Sequence, residues 1–412
     1  MNKYKEITKC RISGSNNLLT VLNLGHQALT GVFPKSTTEE VTSGPLELVW
    51  CPESGLLQMK QSYDLGEMYG MNYGYRSGLN KSMVLHLQNK VAHLQRLRPV
   101  GSGEIVLDIG SNDATTLKSY SVKGLQRIGI DPTGVKFHQY YTDGIELVPD
   151  FFTANNYRKK FAKHQASIIS SIAMFYDLEN PRQFVQDIAE VLADDGIWHF
   201  EQSYMPSMLR TNAYDTVCHE HIEYYSLAPV KNLLESCGLR IIDVQMNAVN
   251  GGSFAVTATH AKSPLPSNHA VINWLLEQEL RMGLHTPKPF RDFEARVFEH
   301  RANLLNLIRS LVADGKKVLG YGASTKGNVL LQFCGFTPAE IPAIAEVNPD
   351  KFGCFTPGTK IPIVSEAEAK AMNPDYFLVL PWHFKENILQ REQEYLANGG
   401  KMIFPMPEIE IV

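Results

Sequence analysis

Between about residues 103 and 262, short apolar runs alternate with segments whose apolar positions recur at helical spacing. The runs are Ile105-Val-Leu-Asp-Ile109, Arg127-Ile-Gly-Ile-Asp131, Ser167-Ile-Ile-Ser170 and Gly196-Ile-Trp-His-Phe200. Strands that alternate with helices predict a mainly parallel sheet covered on both faces. A second alternation begins at Lys317-Val-Leu-Gly320 and continues through Ile344-Ala-Glu-Val347, Tyr376-Phe-Leu-Val-Leu380 and Lys401-Met-Ile-Phe404. It predicts another, smaller doubly wound unit. Before the first unit, Val84, Leu87, Val91 and Leu94 mark one face of a helix over Leu79 to Leu97, stopped at Pro99. Between the two units, residues 270 to 313 read as long helices interrupted near Pro287 and Pro289. Residues 1 to about 75 differ: strand-like pieces such as Leu46-Glu-Leu-Val-Trp50 lie between glycines and prolines, which reads as a small separate module. The fold class is α/β, and the expected division is 1–78, 79–265 and 266–412.

Composition narrows the function classes. The chain has 412 residues, of which 44% are hydrophobic and 20% charged, the balance of a globular protein with more than one core. Lys and Arg number 39 against 43 Asp and Glu, a net charge of −4 that offers no footprint for a long nucleic acid. The amino terminus is polar, and no run approaches the roughly 20 apolar residues of a membrane helix, so no membrane partner and a cytoplasmic location are expected. The six cysteines are too scattered for a disulfide scaffold, and Cys237 and Cys334 sit in apolar stretches as small core residues. Nothing in the pattern decides between monomer and homodimer.

Asp108-Ile-Gly110-Ser111-Asn112-Asp113 follows a strand and precedes a helix, where a glycine lets backbone amides approach an anionic or polar ligand. The next apolar run ends in Asp131, about 20 residues on, where a carboxylate can hold the two hydroxyls of a ribose. Read alone, the turn also fits a structural strand-to-helix connection, and it does not match G-x-G-x-x-G. Its pattern resembles class I methyltransferases that bind S-adenosylmethionine. That resemblance implies Asp108, Gly110, Ser111, Asn112, Asp131, Pro132 and Ser171 as cofactor contacts, and Asp150 and Phe151 as the pair flanking adenine. Ala114 departs from it, since related sequences commonly carry Gly there.

Cys218-His219-Glu220-His221-Ile222-Glu223-Tyr224-Tyr225 concentrates histidines, carboxylates and tyrosines in eight residues. A metal site lacks the H-E-x-x-H spacing. General base chemistry suits the segment: His titrates near neutrality, a neighbouring carboxylate can orient it, and Tyr hydroxyls can donate to a developing oxyanion. A structural histidine cluster also accounts for it.

Asp215-Thr-Val-Cys-His-Glu-His-Ile-Glu-Tyr-Tyr-Ser226 resembles D-x-x-x-H-E-H-x-x-Y-[YF]-S, and Gly320-Tyr-Gly-Ala-Ser-Thr-Lys-Gly-Asn328 resembles G-Y-G-A-x-x-K-G-N. Both are patterns of the S-adenosylmethionine-dependent sugar C-methyltransferases that act at C3 of nucleotide-linked 4-keto-deoxysugars, and the resemblance runs through nearly the whole chain. It implies three parts, namely an amino-terminal lid, a Rossmann-like methyltransferase domain and a carboxy-terminal doubly wound domain. S-adenosylmethionine is the expected cofactor, S-adenosylhomocysteine the product and a nucleotide-diphosphate keto-deoxysugar the substrate. His221 is the implied base, with Glu220 and Tyr224 beside it. Implied substrate contacts are Cys218, where the family often has Tyr, and His219, Tyr225 and Glu201. Tyr73, Tyr75 and Ser77 resemble an aromatic lid. Asn250 opens a segment similar to His-Gly-Gly-Ser, and the neighbourhood of Tyr176 and Asp177 occupies a position where relatives often place a His.

The Gly320 to Asn328 turn follows a strand and opens a helix, so its amides and Lys326 can meet phosphate oxygens, and it is not a Walker A motif. Glu346, ending the next strand, leaves a dinucleotide-binding reading open. The resemblance implies instead that Tyr321, Ser324, Lys326, Asn328 and Glu346 hold the sugar's nucleotide diphosphate. The first module resembles a zinc-binding domain with two C-x-x-C pairs, but Cys10-Arg-Ile-Ser13 and Cys51-Pro-Glu-Ser54 each carry one thiol, so zinc is not expected. The alternatives are a sugar O- or N-methyltransferase, a nicotinamide-dependent nucleotide-sugar oxidoreductase or epimerase, and a non-catalytic sugar-nucleotide binding module.

Overall fold

A computed structural model describes residues 4–63, 76–162 and 164–412. The first segment contributes β1 (Tyr4–Glu6), β2 (Leu19–Ala28), β3 (Ser43–Trp50), β4 (Leu57–Met59) and β5 (Gln61–Tyr63). Two of these, β1 and β5, pair with each other, while β2, β3 and β4 form an antiparallel meander. Trp50 at the end of β3 is fully buried against the Phe290 ring, 5.0 Å between centroids, which fastens this module to the long helix Lys288–Ala313.

The central sheet is built from β6 (Ile105–Ile109), β7 (Gln126–Ile130), β8 (Ile145–Val148), β9 (Ala166–Ile172), β10 (Leu192–Ser203), β12 (Leu239–Asn247) and β13 (Ser253–His260). Its order is β12-β13-β10-β9-β6-β7-β8. The strands from β6 to β10 run parallel, and β13 enters antiparallel between β10 and β12. All five residues of β6 are buried, as a strand covered by helices on both faces must be. The helix Lys81–Leu97 begins at an Asn80 side-chain cap on Ser82 N and buries Leu87, Val91 and Leu94, together with Lys90.

A short strand, β11 (Glu223–Tyr224), leaves this unit and pairs with β4, so the histidine segment is stitched into the sheet of the amino-terminal module. Beyond the helices His269–Arg281 and Lys288–Ala313 comes a sheet ordered β16 (Ile363–Ser365), β15 (Ile344–Glu346), β14 (Val318–Tyr321), β17 (Tyr376–Val379), β18 (Lys401–Phe404) and β19 (Glu410–Ile411). Only β19 is antiparallel. The helix Lys288–Ala313 carries proline in its first turn, where a missing N–H breaks no helical bond.

In each parallel sheet the strand order reverses about one strand. At β6 it departs to β7 on one side and β9 on the other; at β14 it departs to β15 and β17. Such switch points open crevices beyond the carboxyl ends of the strands. Both glycine turns lie there. No helix among the described residues is long and apolar enough to cross a membrane.

Candidate functional site

Gly110 leaves β6 at φ +73°, so the turn depends on glycine for conformation, and a Cβ there would also press on the Met174 side chain at 3.3 Å. Ala114 is also left-handed, at φ +60°, in a fully buried position. An L-residue there costs roughly 1–2 kcal/mol, which gives the glycine of related sequences its physical reason. Asp131, just past β7, accepts from Asn112 N at 2.7 Å and from Thr133 N and Oγ1 at 2.6 and 2.7 Å. The acid therefore holds the glycine turn against its own strand end, with the half-buried Pro132 next to it. Asp108 is buried beneath the turn and accepts from Ser170 Oγ at 2.5 Å. Burial pushes its carboxyl up to about 7, against the lowering effect of the Ser170 and Thr116 hydrogen bonds.

Past β8, Asp150 accepts from Phe151 N and Asn156 Nδ2, and the Phe151 ring is 53% exposed while its neighbour Phe152 packs on Phe184. An exposed ring beside a fixed carboxylate offers one face to a planar ligand. Ser111 shares a hydrogen bond with the Tyr141 hydroxyl at 2.7 Å. Ser171 lies deeper: its Oγ accepts from Trp198 Nε1 at 2.9 Å and it is fully buried. Ser77 meets the glycine turn through its backbone, donating to Asn112 Oδ1 at 3.0 Å, and Gly78 N donates to Asp113 Oδ2 at 2.9 Å. Tyr73 and Tyr75 lie outside the described residues, as does the side chain of Asn250.

His221 stands in a pocket formed with Tyr176, Ser203, Thr216, Tyr224 and Gly252. Its Nδ1 is 3.1 Å from the Thr216 carbonyl oxygen, and the Tyr176 ring meets it edge-on with centroids 4.4 Å apart. A carbonyl only accepts, so Nδ1 carries the proton and Nε2 is left with its lone pair. Burial, reinforced by the charge of Lys326, pushes the imidazole down to about 4. The Tyr224 hydroxyl donates to the same Thr216 oxygen at 3.3 Å. Glu220 turns elsewhere. The Thr30 hydroxyl donates to its Oε2 at 3.5 Å, a Cβ on Gly31 would fall 2.8 Å from its Oε1, and burial raises its carboxyl above the usual range. Cys218 is buried beside Glu220, and burial pushes its thiol well up.

His219 and Tyr225 face away from this pocket. His219 is fully buried edge-on to Tyr63, 4.6 Å between centroids, and Tyr225 stacks on Phe175 at 5.3 Å. A turn at His219 and Glu220, with His221 N donating to Cys218 O at 3.2 Å, separates the two histidines, and β11 begins only at Glu223. Glu201, near the end of β10, is held by His86 Nε2 at 2.6 Å, Lys90 Nζ at 2.8 Å and Asn247 Nδ2 at 2.8 Å.

The second glycine turn approaches from the other side. The Ser324 side chain caps the helix Thr325–Cys334 by accepting from Gly327 N at 3.0 Å. Glu346 accepts from Ala323 N at 2.8 Å, repeating at β15 what Asp131 does at β7. Asn328 donates to Thr30 O at 2.8 Å, which ties this turn to the first module. The charge of Lys326 bears on His221, on the buried carboxyl of Asp215 and on His383. Trp382 Nε1 donates to Asp215 Oδ2 at 2.7 Å across the same boundary. Tyr321 points into its own domain, donating to Glu392 Oε1 at 2.7 Å. Thr30, Gly31, Trp382 and His383 join the site without any motif that singles them out, whereas Asp215 and Thr216 lie in the quoted Asp215–Ser226 segment, Thr216 at a position its pattern leaves open.

Family models match three stretches of the chain. Residues 10–69 match one described as "Putative zinc binding domain", 86–244 a methyltransferase domain, and 248–407 a C-methyltransferase C-terminal domain. NovU, a C-methyltransferase of Streptomyces niveus, is 31% identical over 411 residues, spanning 99% of this chain and 97% of that protein. Solved structures align over less. A chain from the complex of the Haloferax volcanii Trm112 methyltransferase activator with a methyltransferase has a TM-score of 0.37 and 17% identity, covering 44% of this chain and 94% of that one. The plantazolicin methyltransferase BpumL, solved with S-adenosylhomocysteine, has a TM-score of 0.34 and 12% identity over 43% of this chain and 83% of its own. The full-length likeness to NovU, with both methyltransferase models matched in order, shows that the chain belongs to the C-methyltransferase family and is an S-adenosylmethionine-dependent methyltransferase.

Proposed function

We propose that the chain methylates a ring carbon of a nucleotide-linked 4-keto-6-deoxysugar, C3 beside the ketone, with His221 as general base. The observation that carries this reading is the tautomer of His221, whose Nδ1 is committed to the Thr216 carbonyl so that Nε2 is free to accept a proton. A C–H bond next to a ketone is acidic enough for imidazole to remove because the charge it leaves can rest on oxygen. O- and N-methylation need no such activated carbon.

The residues of the first glycine turn fit a nucleoside cofactor: a glycine in the left-handed conformation, an acid at the end of β7, and the exposed Phe151 ring past β8. Asp131 would hold the ribose, and Phe151 would stack on adenine. S-adenosylmethionine, when bound, supplies a methyl group on a positively charged sulfur that departs as a neutral thioether. His221 Nε2 takes the proton from the sugar carbon, that carbon takes the methyl group, and the carbonyl reforms. The Tyr224 hydroxyl lies in the same pocket and would have to turn from the Thr216 carbonyl to donate to the oxyanion. Lys326 and the amides opening the helix Thr325–Cys334 would receive the diphosphate.

The test is mass spectrometry and NMR of a panel of nucleotide-linked 4-keto-6-deoxysugars incubated with enzyme and S-adenosylmethionine, with wild type against His221→Ala. One added CH2 on carbon beside the ketone, lost in the variant while calorimetric cofactor binding persists, is the expected result. A methyl on oxygen or nitrogen, or full turnover by the variant, sinks it. Binding of a nicotinamide dinucleotide in place of S-adenosylmethionine would point to redox chemistry.

A further inference from the structure

The amino-terminal module contains two matching turns, Cys10-Arg-Ile-Ser13-Gly14 and Cys51-Pro-Glu-Ser54-Gly55. In each, the glycine amide donates to the cysteine carbonyl, at 2.9 and 2.8 Å, and the glycine is left-handed, φ +73° and +74°. Turns of this kind present the first and fourth side chains to one point, the arrangement used by C-x-x-C zinc knuckles. Here the two turns face each other. Cys10 Sγ lies 3.2 Å from Ser54 Oγ, and Ser13 Oγ lies 3.5 Å from Cys51 Sγ, so four side chains converge with thiol opposite hydroxyl.

These donors do not fit the zinc that the module's description names. Structural zinc takes four thiolate or imidazole ligands, whereas a neutral hydroxyl is a weak one. Among the described residues no group of three or more His, Cys, Asp or Glu side chains is placed to hold a metal. The geometry survives the lost chemistry. In a tetrathiolate site with Zn–S near ~2.3 Å, sulfurs stand about 3.8 Å apart, only a few tenths of an ångström beyond the present separations.

We infer that hydrogen bonds do the work of the metal in this module, and that the two oxygen-to-sulfur changes Ser13→Cys and Ser54→Cys turn the converged side chains into a tetrahedral zinc site. The hydrogen bonds are specific. Arg182, from the helix Pro181–Val191 of the methyltransferase sheet, donates through Nε and Nη2 to Ile12 O, at 3.2 and 2.8 Å, inside the first turn. Arg11 reaches Met59 O at 2.6 Å and Ser62 Oγ at 2.8 Å, clamping that turn to β4 and β5. Cys10, Ile12, Cys51 and Leu56 are buried in the same apolar cluster as Phe175 and Tyr225. The first turn is thus pinned from outside the module, where a zinc ion would have pinned it from within.

The experiment is metal analysis of the full-length protein, purified without added metal, then incubated with zinc chloride and desalted. Wild type is expected to carry no stoichiometric zinc, and the Ser13→Cys/Ser54→Cys protein one zinc per chain, with far-ultraviolet circular dichroism checking its fold. Loading that variant with cobalt should give the visible bands of a tetrahedral thiolate complex. One zinc per wild-type chain overturns the inference, as does a folded double variant that takes up neither metal. Should the double variant fail to fold, Arg182→Ala in the wild-type background decides: a lowered melting midpoint is expected, and an unchanged one overturns the role given to the hydrogen bonds.

Discussion

His221 Nδ1 and the carbonyl oxygen of Thr216 are 3.1 Å apart, and this contact decides which ring nitrogen can act as a base. The imidazole is also held down to about 4, by burial first and by Lys326 second, so in the ligand-free chain it is neutral at pH 7.

With His221 as the proposed base, the acid limb of kcat/KM, which reports the free enzyme's base, is expected well below the ordinary histidine value of about 6.5. Removing the cation removes a lowering effect. In Lys326→Met the limb should move to higher pH, so that activity near about pH 5 falls relative to activity at pH 8. The shape of the profile is the readout, since lost phosphate contacts would lower its height at every pH. A limb that stays in place would separate Lys326 from His221.

Glu220 is next to His221 in sequence but is aimed at Thr30 and Gly31 of the first module. In Gly31→Ala the new Cβ falls 2.8 Å from Glu220 Oε1, so the carboxyl must move. If Glu220 helps place the sugar, kcat/KM should fall on the order of tenfold, about 1.4 kcal/mol, with S-adenosylmethionine affinity unchanged. Equal kinetics in variant and wild type would leave Glu220 a structural residue.

Strands, glycine turns and the histidine segment were legible in sequence because each depends on local pattern: β6 and β18 are found at the expected residues. What was not legible depends on where chain segments meet. Tyr321 and Ser171 belong to recognisable stretches, yet their hydroxyls are engaged by Glu392 and Trp198, partners fixed by tertiary packing. Thr216 contributes a backbone oxygen, which no side-chain motif reports. The pairing of β11 with β4 joins residues far apart in the chain, and it sends His219 into the first module rather than the pocket.

Asp108 gives a test in stability. Its folded value, about 7, lies above its ordinary 3.8, so the folded chain binds the proton more tightly. The resulting stabilisation is complete below about pH 4 and is lost as pH rises through 7. Asp108→Asn keeps an acceptor for Ser170 and removes the charge, so from pH 6 to pH 8 its urea midpoint should hold while that of wild type drops. The gap at pH 8 is expected to be on the order of a few kcal/mol. Parallel slopes in the two proteins would place the Asp108 carboxyl at an ordinary value.

The last prediction concerns Glu201, whose oxygens are fully taken by His86, Lys90 and Asn247. Burial alone would raise its carboxyl, but the His86 hydrogen bond and the Lys90 charge overcome that and hold it down to about 2. Its folded value is below the ordinary one, so its contribution is present above about pH 4.5 and lost only as pH falls through 2. Lys90 is 7% exposed, and Glu201→Gln leaves its ammonium in the interior with neutral acceptors, the new amide oxygen and Gln245 Oε1 at 3.3 Å, but without its carboxylate. Breaking such a pair from one side costs about 3–5 kcal/mol. Lys90→Met should cost less, because the carboxylate keeps His86 and Asn247. The double variant removes both charges, so it should lose much less than the sum of the two single losses in urea unfolding at pH 7. Strict additivity would mean that water reaches both groups, and that the helix Lys81–Leu97 is held to β10 by its apolar face alone.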